Sequence, residues 1–156
     1  MREMRRKDRE MPAALALALV DKCAYAVMAT VNADGTPYCV PLSPAREGEW
    51  LYFHCAKEGH KVDNLRRMNR VCVSCVGDNV KAIPGQFSIE FESAVINGAA
   101  SEITDREEKI HALDIISRRH APDNMAAFDG EIQKMLDHTA VWKIHIDEIS
   151  GKARRR

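Results

Sequence analysis

The sequence predicts a mainly β fold of the α+β class, a mostly antiparallel barrel with helices at its periphery. Short runs rich in β-branched, aromatic and thiol side chains recur along the chain, and an Asp-Gly turn joins the first two. Too many of these runs follow one another directly for a regular alternation of strand and helix. The 156 residues have the length of one domain, 1–156, with a charged arm over 1–10 and a basic tail over 151–156.

Each element has a local reason. Met11 to Lys22 carries Leu15, Leu19 and Val20 among alanines, a helix-forming composition with Pro12 near the first turn, where its missing N–H costs little. "YAVMATVN" at 25–32 and "YCVPLSPA" at 38–45 flank "ADGTP" and read as a hairpin. Pro41 and Pro44 cannot donate ladder hydrogen bonds, so the second arm is expected at an edge, bulged, or leaving the sheet around Ser43. "WLYFHCA" at 50–56 is a strand. After it Val62, Leu65 and Met68 fall at helical spacing, with Lys61, Arg66 and Arg67 turned away from them. "RVCVSCVG" at 70–77 reads as a buried strand, and Pro84-Gly85 punctuates the loop that follows. Residues 87–103 alternate as a strand, with Asn97-Gly98 as a bulge or turn inside it. Thr104 with Glu107 three residues on reads as a capping box for a helix that buries Ile110, Leu113 and Ile116. A short helix is expected around 124–137, and "TAVWKIHIDEISGK" is the final strand.

Composition excludes several function classes. Lys plus Arg and Asp plus Glu balance at 23 each, so net charge gives no reason to propose a nucleic-acid or membrane surface, and the aromatic fraction of 6% offers few stacking platforms. The apolar run at 11–20 is short and lacks a persuasive cleavage site, and no stretch approaches the length of a membrane span. Five cysteines, an odd number, lie mostly in apolar segments, as buried thiols of a reducing compartment do. The protein reads as cytoplasmic.

Chemistry concentrates in "YFHCAKEGHKVDNLRR" at 52–67. A metal site is disfavoured, because His54 and Cys55 are neighbours on a strand and point to opposite faces, as do Cys72 and Cys75 three apart on the next strand. A nucleophilic Cys55 would need a lowered pKa, and a small apolar filler is the simpler role. A nucleic-acid patch is weakest. An anion site uses more of the residues, since Lys57, Gly59, His60 and Lys61 place cations and free N–H groups where a strand turns into a helix. From this stretch alone, a solvated basic helix face explains the same residues equally well.

Taken in order, "MRRKDRE", "YAVMATVNADGTPYCVPLSP", "WLYFHCAKEGHKVDNLRRMNRVCVSCVG", "FESAVINGAASEITDREEKIHAL" and "AVWKIHIDEISGKAR" resemble the pyridoxamine 5′-phosphate oxidase-like FMN-binding split barrels. The nearest branch resembles the nitroimidazole-resistance proteins. The likeness spans nearly the whole chain and is weakest from Ala121 to Thr139. It implies a six-stranded antiparallel split β-barrel and a homodimer with FMN at the subunit interface. It also implies a flavin site in which Val40 and Pro41 meet the isoalloxazine with Ser43 nearby, and His54 and Cys55 end a strand beside the ring. Lys57, His60 and Lys61 would hold the phosphate, with Asn64 as a further polar contact or a plain surface residue. No metal is implied. The substrate-binding arginines of the true oxidases have no convincing counterpart, since Arg154 to Arg156 read as a tail. The resemblance therefore implies a flavin-dependent reductase of small electron-poor substrates, with His54 as the best acid or a purely structural histidine. The alternatives are a non-catalytic flavin or haem binder on the same fold, or an oxidase of the pyridoxamine 5′-phosphate type.

Overall fold

A computed structural model describes residues 3–78 and 80–154. The hairpin forms as expected: β2 (Ala26–Val31) and β3 (Pro37–Leu42) pair in register from Ala26↔Leu42 to Val31↔Pro37. β3 ends before Pro44, and the chain resumes as β4 (Ala45–Glu47), which pairs with β5 (Trp50–Ala56) instead. β6 (Arg70–Val76), β8 (Ile89–Glu102) and β9 (Thr139–Arg154) complete the long strands. The main sheet order is β3-β2-β6-β8-β9-β5-β4. Its two edges are the two halves of one bent segment, so the sheet curls into a barrel that stays split at Ser43-Pro44. Pro41 is tolerated because β3 has a neighbour on one side only.

Among the described residues the strands number nine rather than six: the six long ones, β4, and the two-residue β1 (Glu10–Met11) and β7 (Lys81–Ala82). β1 pairs with β9 at Glu10↔Lys152, which ties the charged arm to the sheet. The helices are α1 (Ala13–Lys22), α2 (His60–Arg67), α3 (Arg106–His120) and α4 (Phe128–Met135).

Two apolar cores result, and β5 and β9 separate them. The barrel interior collects the inward residues of alternate strand positions, among them Met28, Phe53, Val73, Ile96, Trp142 and Ile144. α1 plugs it with Ala16, Leu19 and Val20, and α2 adds Val62 and Leu65. On the outer side, Ala45, Tyr52 and Val141 meet Ala112, Leu113 and Ile116 of α3 and Leu136 beyond α4. Fully burying one such side chain stabilises by about 1.5–3 kcal/mol. The Asn97-Gly98 expectation is met by a register shift in the β8–β9 ladder. A Cβ at Gly98 would lie 2.1 Å from the carbonyl oxygen of His145, so only glycine allows the strands this approach.

The helix expected around 124–137 is α-helical only over Phe128–Met135, and two further boundaries differ from the sequence reading. The cap of α3 is Asp105, not Thr104: its carboxylate accepts from the Glu108 N–H at 2.9 Å. Both residue types cap well, and the register of the buried face selects the later one. The Glu108 side chain instead accepts from Lys143 Nζ at 2.5 Å. The expected tail is strand as far as Arg154, which pairs with Phe91 and donates to Gln86 Oε1 at 2.7 Å and to the Ser88 hydroxyl. Arg155 and Arg156 lie outside the described residues, as do Met1 and Arg2 of the arm.

Candidate functional site

The turn from β5 into α2 is built on Gly59, whose φ of 130° is a left-handed value that a side chain would strain. No side chain caps α2; the Val62 and Asp63 N–H groups donate to the Gly59 carbonyl at 2.9 and 3.0 Å, which leaves those of His60 and Lys61 ahead of the ladder. Lys57 precedes the glycine and is exposed, and half-buried Lys61 follows it. The arginines of α2 are occupied elsewhere: Arg66 pairs with Glu102 at 3.1 Å and Arg67 donates to the Val31 carbonyl.

His60 joins this turn to the hairpin. Its ring packs on Tyr38 of β3 at 4.0 Å between centroids, and its Nε2 donates to Asn32 Oδ1 at 2.7 Å. In that tautomer the neutral ring leaves Nδ1 as an acceptor, so His60 can donate to an anion only when protonated. Asn64 is buried at 4% exposure, and its Nδ2 donates to Thr30 Oγ1 at 3.0 Å and Asn32 Oδ1 at 2.9 Å. Asn64 is therefore not a plain surface residue; it clamps α2 to β2. Asn32 also anchors the hairpin turn through Asn32 Nδ2 to Thr36 Oγ1 at 3.0 Å. Sequence reasoning passed over Tyr38, Asn32 and Thr30, which lie more than twenty positions before α2 and carry no motif of their own.

The clip sets the hairpin arm beside the basic turn. Tyr38 pairs with Thr30, and Val40 lies two positions further along β3, about 7 Å away. Val40 packs against the barrel core, so it presents backbone outward, while Pro41 and Ser43 are exposed. His54 and Cys55 diverge. Cys55 packs against the barrel interior. His54 points to the other side, where it lines a cleft of about 230 Å³ with Leu113, Ser117, Phe128 and Ile132 of α3 and α4. The two side chains cannot flank one ligand from the same face.

Protonation follows from these surroundings. Burial, then the positive fields of Lys61 and His120, push the His54 pKa below its ordinary value, although one edge of the side chain stays exposed. Burial pushes the Cys55 thiol up, which removes the activation a nucleophile needs. The thiol that is lowered, to about 7, is Cys23, by a hydrogen bond with Cys75 and then by Arg119. At 3% exposure it is a core thiol. Arg119 also donates to the carbonyls of Val20 and Cys23 at 2.8 Å each, closing the C-terminus of α1. Among the described residues no group of three or more His, Cys, Asp or Glu side chains is placed to hold a metal ion, and no helix is long and apolar enough to cross a membrane.

Comparison with known proteins gives one family and several solved structures of the same fold. The family profile described as pyridoxamine 5′-phosphate oxidase matches residues 12–153. A crystal structure from Bacteroides thetaiotaomicron, provisionally described as a 5-nitroimidazole antibiotic resistance protein, superposes with a TM-score of 0.80 at 29% identity, over 92% of this chain and 86% of that one. A FAD and haem binding protein of Mycobacterium smegmatis gives 0.80 at 25% identity, over 95% and 74%. A FAD-binding protein of Mesorhizobium loti gives 0.69 at 20% identity, over 94% and 98%, and at that identity shows the fold alone. No curated protein matches the chain significantly.

Proposed function

The chain belongs to the pyridoxamine 5′-phosphate oxidase family, and from that premise we propose that it is an FMN-binding homodimer that reduces a small electron-poor acceptor such as a nitroaromatic. The observation that carries the flavin reading is the uncapped start of α2, opened by Gly59 and flanked by Lys57 and Lys61. A phosphate dianion needs two or three strong donors, and two ammonium groups with free backbone N–H groups supply them. The donor set therefore fits FMN.

Lys57 and Lys61 hold the phosphate. His60 positions the turn against Tyr38 and Asn32 and adds a donor only when protonated. Val40, Pro41 and Ser43 offer backbone, apolar and hydroxyl contact to the ring along the adjoining edge, and Asn64 fixes the helix that carries Lys61. FMN, once bound, supplies the electron-transfer chemistry, while the chain supplies position and electrostatics. Dimerisation is supported by the outer face of β2, β6 and β8. There Val27, Ala29, Val31 and Val95 stay half-exposed, and beside them Val76 and Tyr25 are 56% and 61% exposed. A second copy would cover this apolar surface.

A reductase is favoured over an oxidase of pyridoxamine phosphate because Arg154 is engaged by Gln86 and Ser88 of the turn between β7 and β8. The likeness to a FAD and haem binding protein supports a carrier as the second reading. The absorbance of the protein as purified, with the mass of what heat releases, tests both. A flavin spectrum and the mass of FMN, followed by NAD(P)H-dependent reduction of a nitroaromatic, is expected. A Soret band alone, or no uptake of added FMN, would overturn the reading.

A further inference from the structure

The cleft beside His54 is larger than one hollow. A second hollow of about 400 Å³ adjoins the first of about 230 Å³, and the two share Ser117, Phe128 and Glu131. Together they reach the size range of small-molecule sites, which are mostly apolar with a few convergent polar groups. This one has that composition: Leu113, Phe128 and Ile132 form its apolar walls, His54 of β5 and Thr139, which pairs with Ala56 of β5, stand at one end, and Ser117 lies where the two hollows meet. The carboxylate on its wall is Glu131, which forms part of both hollows, and α4 around it carries Asp129 as well against the single cation Lys134. Along the α4 wall charge therefore opposes an anionic group, while at the far end the positive fields of Lys61 and His120 act on His54. Partial burial, then the positive fields of Lys61 and His120, disfavour the His54 imidazolium, and the neutral ring can both donate and accept a hydrogen bond.

We propose that this cleft binds the aromatic body of the electron acceptor and that Glu131 selects acceptors that are neutral or cationic over those carrying a carboxylate. The acceptor role rests on the flavin reductase reading, whereas the ligand site stands on the cleft itself. His54 is the one lining residue contributed by the strand that leads into the basic turn, so a molecule seated here has one end beside that turn. Acceptor preference is then set by Phe128, Glu131 and Ile132 of α4.

The test measures binding of 4-nitrobenzylamine and 4-nitrobenzoate to the full chain by calorimetry, with FMN titrated in parallel. The amine should bind more tightly than the carboxylate by about fivefold, the scale of one partly screened charge pair. Glu131→Lys should reverse that order without altering FMN affinity. Ile132→Trp, which fills the cleft, should weaken the amine at least about tenfold. Should Ile132→Trp fail to fold, the exposed Glu131 variant still decides. Equal binding of the two probes, or affinities unmoved by Glu131→Lys, would overturn the assignment of the cleft even if FMN binds and both probes are reduced. Amine binding with the expected sensitivities but no FMN uptake would overturn the acceptor role and the reductase reading, leaving a ligand site.

Discussion

The barrel interior and the α3–α4 layer share β5 and β9 as a common wall but hold their apolar residues at different depths. Inside the barrel, Met28, Val73, Ile96 and Ile144 are fully buried, each on a strand with hydrogen-bonded neighbours. Across the wall α4 has no buried residue at all, and Phe128 and Ile132 are only partly covered. A strand paired on both sides makes each inward position dependent on its neighbours on both sides. A short helix on one face can open locally at small cost. The rigid layer thus carries the basic turn, and the looser one carries the cleft.

The largest expected effect tests that contrast. Phe53→Ala should cost about 3–5 kcal/mol, against about 1 kcal/mol for Ile132→Ala, read from urea midpoints at constant m value. Equal losses would break the comparison. Next is the clamp between the layers of the site: Asn64→Ala removes two hydrogen bonds at a buried position and should cost about 1–3 kcal/mol. FMN affinity should fall with it, because the turn carrying Lys57 and Lys61 loses its anchor. Stability lost with FMN affinity unchanged would mean that the clamp holds only the helix.

These contacts show how far the sequence was legible. Period-two runs placed the long strands, because inward and outward environments alternate strictly along them. Pro41 and Pro44 marked the split, because a missing N–H is a local fact. Arg154 was misread, since a run of arginines looks solvated until Gln86 and Ser88, more than sixty positions away, come alongside. Lys57, Gly59 and Lys61 could be picked out because the strand-to-helix turn brings them together locally. Asn64 was ambiguous for the opposite reason: its partners Thr30 and Asn32 are on another element, and nothing about an asparagine in a polar helix announces burial. The cleft was invisible, because an amphipathic α4 does not say which surface it will half cover.

The smallest effect concerns His54. Its folded pKa is depressed, so the unfolded chain binds the extra proton first, and stability rises with pH through this window. That contribution is complete above the ordinary histidine value of about 6.5 and is lost as pH falls from there through the lower folded value. His54→Gln should flatten this part of the acid limb and leave the rest of the profile unchanged. An unaltered slope would place the titration elsewhere.

The central claim is that the turn after β5 grips a phosphate, and comparing FMN with riboflavin tests it most directly, since the two differ only by that group. Wild-type protein should bind FMN about 100-fold more tightly than riboflavin, the scale of two charge-assisted contacts, and Lys57→Ala with Lys61→Ala should collapse the gap. Equal affinity for the two flavins in the wild type, or a gap that survives the double substitution, would contradict it.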